Sequence, residues 1–415
     1  MEATVTIGTR RWMSALLYQT PFRRYWAAQT VSLLGDQITM LALPLLAVLV
    51  ARAGAVEMGY LTAAGLVPHL LFSLVAGAWA DRVPYKRRIM IVADIGRALA
   101  LLAVPALYFL NELSMPQLYL VAFVVGTLSV LFEVCRTTLF VSLVSKEEYM
   151  SANALINGSR AFSFVAGSSI GGVLVQAFTA PIALVVDGLS FLYSAVMLGR
   201  VRPVEPPPST GKGLGLRDGL AFIATSPILR STLLASTTLN LFNYMFSTLI
   251  ILYATAYLHV SPGVLGVLIG LASLGALLGA VTARPIVDRF GVGPALIFSF
   301  VLFPAPLVLV PLAHGPQPVI LGMLFIAEFL SGLGVMILDI VGGSLQTSVT
   351  PDDLRARVTG AQRTVNYGIR PIGALIGGGL GTALGIQNTL WIATIGAISG
   401  VLWLLASPVP RIRRL

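Results

Sequence analysis

The sequence predicts an all-α membrane protein: twelve transmembrane helices arranged as two six-helix, pseudo-symmetric bundles. Three observations carry this reading. Charge is scarce: Asp, Glu, Lys and Arg make up 11% of the 415 residues, hydrophobic residues make up 56%, and mean hydropathy is +0.88. A soluble chain carries about 25% charged residues, and half that level leaves too little polar surface to face water. Apolar runs recur at the length of about 20 residues that crosses about 30 Å of hydrocarbon at about 1.5 Å per residue. Finally, the second half of the chain repeats features of the first at a fixed offset.

Residues 1–25 form an N-terminal cytoplasmic or interfacial segment. Arg10, Arg11, Arg23 and Arg24 interleave with Trp12, Leu16, Leu17, Tyr18 and Phe22 and enclose no apolar core of a cleavable signal, so the segment reads as a short surface helix or a disordered tail. The first bundle, 26–199, holds the spans Trp26–Val50, Met58–Ala80, Ile89–Leu110, Pro116–Leu143, Asn153–Phe178 and Ile182–Gly199. A cytoplasmic linker, 200–231, follows. Its V-R-P-V-E-P-P-P-S-T-G-K-G run is extended by proline and loosened by glycine, and Leu216–Arg230 reads as an amphipathic helix on the membrane surface. The second bundle, 232–406, holds Thr232–Tyr257, Gly263–Ala283, Pro294–Ala313, Pro318–Gln346, Thr359–Leu384 and Gln387–Ala406, and residues 407–415 are a basic cytoplasmic tail.

The loops alternate in charge. Lys and Arg gather at 10–24, 82–88, 200–230, 284–289, 355–363 and 411–414, whereas the intervening loops carry Arg52 alone. Cytoplasmic loops are enriched in Lys and Arg, which places both termini in the cytoplasm. The net charge of +10 therefore sets orientation against the lipid bilayer, and no basic arm stands apart to bind nucleic acid. A single cysteine, Cys135, and three scattered histidines, His69, His259 and His314, exclude a disulfide framework and leave no metal site. No phosphate-binding loop of the G-x-x-x-x-G-K-[ST] type is present, so no ATP or other cofactor is called for.

The most informative stretch is Gly77–Arg88, G-A-W-A-D-R-V-P-Y-K-R-R, a burst of charge between two apolar runs; A-R-P-I-V-D-R-F-G at Ala283–Gly291 is its weaker copy. Shifting the first half by about 206 residues lays Asp81-Arg82 on Asp288-Arg289 with one residue of slip, Glu133 on Asp339, Glu147 on Asp353, and Gly167, Gly171 and Gly172 on Gly373, Gly377 and Gly378. A parallel repeat of six helices is a design of secondary transporters. With these motifs and the fifth-span G-S-S-I-G-G, the chain resembles the major facilitator superfamily. The segments F-R-R-Y-W-A-A-Q-T-V-S-L-L-G-D, A-D-I-G-R-A-L and V-T-P-D-D-L-R-A-R-V make it most similar to the bacterial exporter branch that includes enterobactin and macrolide exporters. Two departures stand out: Ser168 replaces the proline of the antiporter-type glycine motif, and Pro84 replaces the glycine of the charged turn.

Ionisable residues within spans are costly, about 2.5–3.5 kcal/mol for Asp at a helix centre, and mark function or pairing. Asp36 lies near mid-membrane in the first span, as a proton carrier, an anchor for a cationic substrate, or a structural acid paired with an arginine. Glu328 occupies the same depth in the tenth span, with Asp339 three turns on. Glu133 in the fourth span is read as the local partner of Arg136 at i+3. The resemblance implies that the first, fourth, seventh and tenth helices line a central cavity, which Asn240 and Asn243 would also face. Arg370, before Pro371 in the eleventh span, calls for a partner, with Asp36 and Glu328 as candidates. His69 reads as a neutral, hydrogen-bonded histidine and Asp187 as a cap near the outer end of the sixth span.

A cytoplasmic latch is expected of Gly77, Asp81, Arg82, Lys86, Arg87, Asp94, Arg97, Asp288 and Arg289, with Gly77 letting the second helix approach the eleventh and the basic residues held by lipid and Asp94. Gly167, Gly171, Gly172, Gly373, Gly377 and Gly378 read as helix-packing positions, as do Gly270, Gly275 and Gly279 of the eighth span toward the fifth. The resulting expectation is a monomeric exporter of a hydrophobic or amphipathic small molecule (a drug, an antibiotic or a siderophore-like compound) by proton antiport across a bacterial plasma membrane. A proton-coupled importer or facilitator is the alternative, and a membrane-embedded enzyme or sensor the remote one.

Overall fold

A computed structural model of the chain describes residues 16–203 and 216–414, with the side chains of Leu74, Ala78, Asp81 and Ala272 outside that description. Arg10, Arg11 and Trp12 of the N-terminal segment, and the proline run of the linker, also lie outside the described residues. What is described is helical, with no strand.

Six helices make the first half: Thr20–Leu49, Ala55–Arg82, Lys86–Phe109, Met115–Val141, Tyr149–Ala177 and Ala180–Gly199. In the second half the seventh is Pro227–Ala256, the eighth Pro262–Phe290, the tenth Gln317–Val349 and the eleventh Arg355–Ala383. The ninth and twelfth are broken. Val292–Leu302 gives way at Pro304 and Pro306 to a 3₁₀ turn, Ala305–Val308, and one last turn, Leu309–Leu312; proline removes a helical hydrogen bond and clashes with the preceding turn. The twelfth runs Ile386–Ser399 and resumes after Gly400 as Val401–Leu405. Ten of these segments are long and apolar enough to cross a membrane. The fifth and eleventh fall outside that set, being interrupted by Arg160 and by Arg355, Arg357, Arg363 and Arg370.

Two local readings change. The first helix begins at Thr20 with Pro21 in its first turn, and Phe22 and Tyr25 are fully buried, so this part of the N-terminal segment is interior rather than interfacial. The amphipathic helix is Leu216–Thr225 and docks on protein: Gly219 abuts the Arg357 carbonyl, Ile223 is buried, and Asp218 accepts from Arg357 at 3.1 Å. Gly291 turns the eighth helix into the ninth at φ +91°, a left-handed conformation that glycine tolerates.

The halves meet mainly through two helix pairs, the second with the eleventh and the fifth with the eighth. Adjacent glycines make both contacts. A Cβ on Gly171 would sit 3.1 Å from Ile38 Cα of the first helix, and one on Gly172 would sit 2.8 Å from Gly266 Cα of the eighth. The repeat copies this: Gly377 faces Met245 Cα of the seventh helix at 2.8 Å and Gly378 faces Gly59 Cα of the second at 3.0 Å. One glycine of each pair packs its own half and the next packs the opposite half. Gly167 and Gly373 pack within their halves, against Gln37 and Leu241. Gly270 meets Ser169 and Val165 of the fifth helix, but Gly275 and Gly279 pack on Phe329 and Leu333 of the tenth, not on the fifth.

Most inter-half glycine contacts lie toward the helix ends opposite the basic loops; Gly368, against Leu70, is at mid-helix. At the basic end a Cβ on Gly77, Gly158 or Gly360 would meet nothing within 4 Å among the described residues. Gly77 therefore does not bring the second helix onto the eleventh; Gly59 does. Glycine-mediated contact between the halves is thus concentrated at the end away from the basic loops.

Candidate functional site

Two adjoining chambers open: the apolar one lies between the halves, and the polar one is lined by second-half residues. The apolar one, about 380 Å³, is lined by Met40, Phe164, Phe246, Ile250, Phe303 and Leu324 among others, with Gln37, Asn243 and Glu328 as polar groups. The polar one, about 540 Å³, lies nearer the basic end and is lined by Ser236, Asn240, Asp339, Arg363, Asn366 and Arg370 among others. Asn243, Phe303 and Val335 border both, so the chambers adjoin. Glu328 has no hydrogen bond or ion pair among the described residues; its carboxyl stands in an apolar wall. Tyr253 and Tyr257 stack at the end away from the basic loops, centroids 5.6 Å apart.

Beside the apolar chamber the first half holds a buried charge cluster. Asp36 lies one helical turn from Met40, which lines that chamber, and its side chain is 39% exposed. It pairs with the Arg97 guanidinium at 3.8 Å. Arg97, 3% exposed, also donates to Asp94, and its guanidinium lies between the rings of Phe132 and Phe191, 4.5 and 4.0 Å from their centroids. Asp187 is fully buried in the sixth helix, where it accepts from Thr39 of the first helix at 2.5 Å and from Ser190 at 2.9 Å. Gly35 makes room for it: a Cβ there would overlap the Asp187 carboxylate. Two carboxyls thus pair with one guanidinium, and a third, Asp187, lies within electrostatic reach of both Asp36 and Arg97. An ion taken out of water costs several kcal/mol unless paired, so the surplus acid is a natural place to hold a proton.

These positions correct two expectations. Asp94 and Arg97 belong to the interior of the first half with Asp36, not to a network at the cytoplasmic loop. Asp187 is no cap; it lies seven residues beyond Ala180, the start of its helix. The sequence did carry a trace of this site, since Asp187 and Ser190 share a helix face at i, i+3, but nothing in it pointed across to Thr39 and Gly35.

Arg370 also lacks its expected partners. Its Nε donates to Asn240 Oδ1 at 3.0 Å, and its guanidinium lies 4.1 Å from the Tyr367 ring centroid and 5.1 Å from that of Tyr244. Neither Asp36 nor Glu328 reaches it, because Asp36 is held by Arg97 and Glu328 faces the other chamber. Tyr367 stacks in turn on His69 of the second helix, centroids 6.0 Å apart, linking the two halves. Glu133 and Arg136 form a bidentate pair at 2.9 and 2.5 Å. Asp339 is exposed at the wall of the polar chamber.

At the basic end the side chain of Asp81 lies outside the described residues. Arg82 is exposed and Lys86 buried. Arg87 donates to the Val201 carbonyl and, at 3.4 Å, to that of Gly199, while Arg24 donates to the Arg200 carbonyl at 2.7 Å. Both satisfy the free carbonyls that end the sixth helix, so Arg87 is held by protein rather than by Asp94. In the copy, Asp288 pairs with Arg284 at 3.8 Å, both exposed, and Arg289 lies over Phe290.

A family model described as transmembrane secretion effector matches residues 13–415. Among curated proteins the chain is 26% identical over 394 residues to the multidrug efflux pump Tap of Mycolicibacterium fortuitum, covering 92% of this chain and 93% of the relative. It is 26% identical over 408 residues to the uncharacterized MFS-type transporter YfiS of Bacillus subtilis, covering 94% and 93%. Among solved structures, the nucleoside transporter NupG superposes with a TM-score of 0.72 at 12% identity, covering 93% of this chain and 97% of that one. A bacterial homologue of the iron transporter ferroportin in an inward-facing state gives 0.75 at 15% identity, covering 92% and 97%. At these identities the structures speak for the fold alone.

Proposed function

Since this chain belongs to the transmembrane secretion effector family of the major facilitator superfamily, and is thus a transporter and not an enzyme, we propose that it exports a hydrophobic or amphipathic small molecule in exchange for protons. It does so from the plasma membrane of a bacterium, as a monomer with both termini in the cytoplasm. The basic end then faces the cytoplasm, and the conformation is inward-facing, able to load substrate from inside. The relatives named as multidrug efflux pumps support the direction.

The observation that carries proton coupling is the surplus of buried acid around Arg97. Asp36, partly exposed and one turn from the apolar chamber, takes the proton; Arg97, held between two rings, turns toward Asp94 when Asp36 is neutral and toward Asp36 when it is charged. Glu328, unpaired in the apolar chamber, faces the substrate. A charge crossing about 100 mV releases about 2.3 kcal/mol, so one proton at about 150 mV sustains a gradient of a few hundred-fold, at about 1.4 kcal/mol per tenfold.

The Gly77–Arg88 loop is the latch of the opposite state. When the basic ends come together, Gly77 meets the eleventh helix and Asp81 accepts from the amides or an arginine at that helix's start. Everted vesicles carrying a pH-sensitive dye test the coupling. Asp36→Asn is expected to abolish substrate-induced proton release with the protein still inserted. Normal proton movement in that variant would remove Asp36 from the coupling role.

A further inference from the structure

We propose that the exported molecule carries an anionic group, and that Arg370 is the residue that binds it, with the apolar body lying in the adjoining chamber. The inference rests on the export reading only for the direction of travel; the binding site itself is argued from geometry.

Arg370 is a fixed cation in no direct ion pair; Asp339, on the wall of the same chamber, is near enough to feel its charge but does not bond it. No carboxylate lies within 4 Å of it among the described residues, although six other ion pairs form there. Asn240 holds its Nε, the rings of Tyr367 and Tyr244 hold its plane, and the Tyr244 hydroxyl is a further neutral neighbour. No carboxylate or carbonyl takes up its two terminal nitrogens among the described residues. A guanidinium presents such a pair of donors to a carboxylate, sulfonate or phosphate in a bidentate fork. Leaving a cation unpaired inside a membrane is costly, and here neutral polar groups and two aromatic faces hold it in place without neutralising it.

The surroundings favour the same ligand. The charged residues lining the polar chamber are Arg363, Arg370 and Asp339, a surplus of one positive charge. The chamber adjoins the apolar one, sharing Asn243, Phe303 and Val335 with it. A ligand with its anion on Arg370 therefore has its body directed along Phe246, Phe303 and Leu324. Tyr367 couples the anion to the opposite half, since it lies between Arg370 and His69. Phe and Tyr rings in reach on both sides suit an aromatic body.

The test uses two fluorophores with one ring system: anilinonaphthalene sulfonate, which is anionic, and phenylnaphthylamine, which lacks the sulfonate. Equilibrium binding is measured on the full chain in phosphatidylcholine nanodiscs, with empty discs subtracted. Wild type is expected to prefer the sulfonate. Arg370→Gln should weaken it by about 10- to 100-fold, the range of a charge-assisted hydrogen bond, and leave phenylnaphthylamine unchanged. Arg370→Lys should recover part of the loss. Retained phenylnaphthylamine binding shows that the variant is folded, and thermal unfolding of Arg370→Lys gives a second check. Equal weakening of both probes, or of neither, would overturn the assignment. A preference that vanishes once phosphatidylglycerol is added to the discs, and only in wild type, would give the site to a lipid headgroup and overturn it as a solute site. Binding is read without any gradient, so sulfonate held by Arg370 but never exported would sink the export reading and leave this one standing.

Discussion

Arg97 is the residue on which the first half's interior charge depends. It is buried, clamped between Phe132 and Phe191, and serves Asp94 and Asp36 together. Removing one member of a buried pair costs about 3–5 kcal/mol because the other is left charged and dry. Arg97→Ala is therefore expected to lower thermal stability by that order, measured as unfolding in detergent. Replacing Arg97 and Asp94 together by leucine should restore much of the stability while leaving proton coupling absent. A fully active double variant would show that the cluster is structural. Asp187→Asn is a gentler change. The amide still accepts from one of Thr39 and Ser190 and donates to the other, so the fold should hold. The proton-binding capacity of the cluster should fall, read as reduced proton release per substrate in vesicles.

At the scale of the element, the paired glycines of the fifth and eleventh helices set the conformation. Gly172 and Gly378 each bring helices from opposite halves to backbone contact, at the ends away from the basic loops. Valine at either position would force those ends apart, since its Cβ would sit 2.8 Å from Gly266 Cα or 3.0 Å from Gly59 Cα. Gly172→Val and Gly378→Val are expected to shift the population toward the state open at that end. The shift is measurable as raised accessibility of a cysteine placed beside Gly266 or Gly59 to an impermeant thiol reagent. Gly360→Ala meets nothing within 4 Å here and should leave this accessibility unchanged. The prolines of the ninth helix act differently, breaking it where its amides would otherwise pair.

For the whole molecule, the chambers and the glycine contacts gathered at one end are what we propose to be one conformation of an alternating pair. In the proposed latch at Gly77–Arg88, a Cβ on Gly77 would meet nothing within 4 Å among the described residues and Arg87 serves the end of the sixth helix, and we propose that the latch acts in the opposite state. Its effect belongs to the other state, so Asp81→Ala should lower turnover while substrate binding to the inward-facing form stays nearly intact. Measured together, a turnover loss of several-fold with unchanged equilibrium binding supports this, and a large loss of binding refutes it. The copy at Asp288-Arg289 pairs locally with Arg284 and lacks the trailing basic cluster, so Asp288→Ala should cost less turnover than Asp81→Ala.

Fold and membrane disposition were legible from the chain alone because hydropathy and helix length are local properties, and the repeat from Glu133/Asp339 and Gly171/Gly377 is a matter of counting. The acids of the first, fourth and tenth helices were legible too, since each stands out in an apolar run. What pairs with what was not. Asp94 and Arg97 read as part of a cytoplasmic latch and Asp187 as a cap until the first, third and sixth helices were packed together, and Arg370 was assigned partners that lie elsewhere. A helix declares its own length, polarity and faces through its sequence, but ion pairing depends on which neighbour rotates toward which face across about 10 Å between axes. Only the tertiary structure settles that, and with it the clamp on Arg97, the neutral setting of Arg370, and the choice of Gly59 over Gly77 as the surface on which the halves meet.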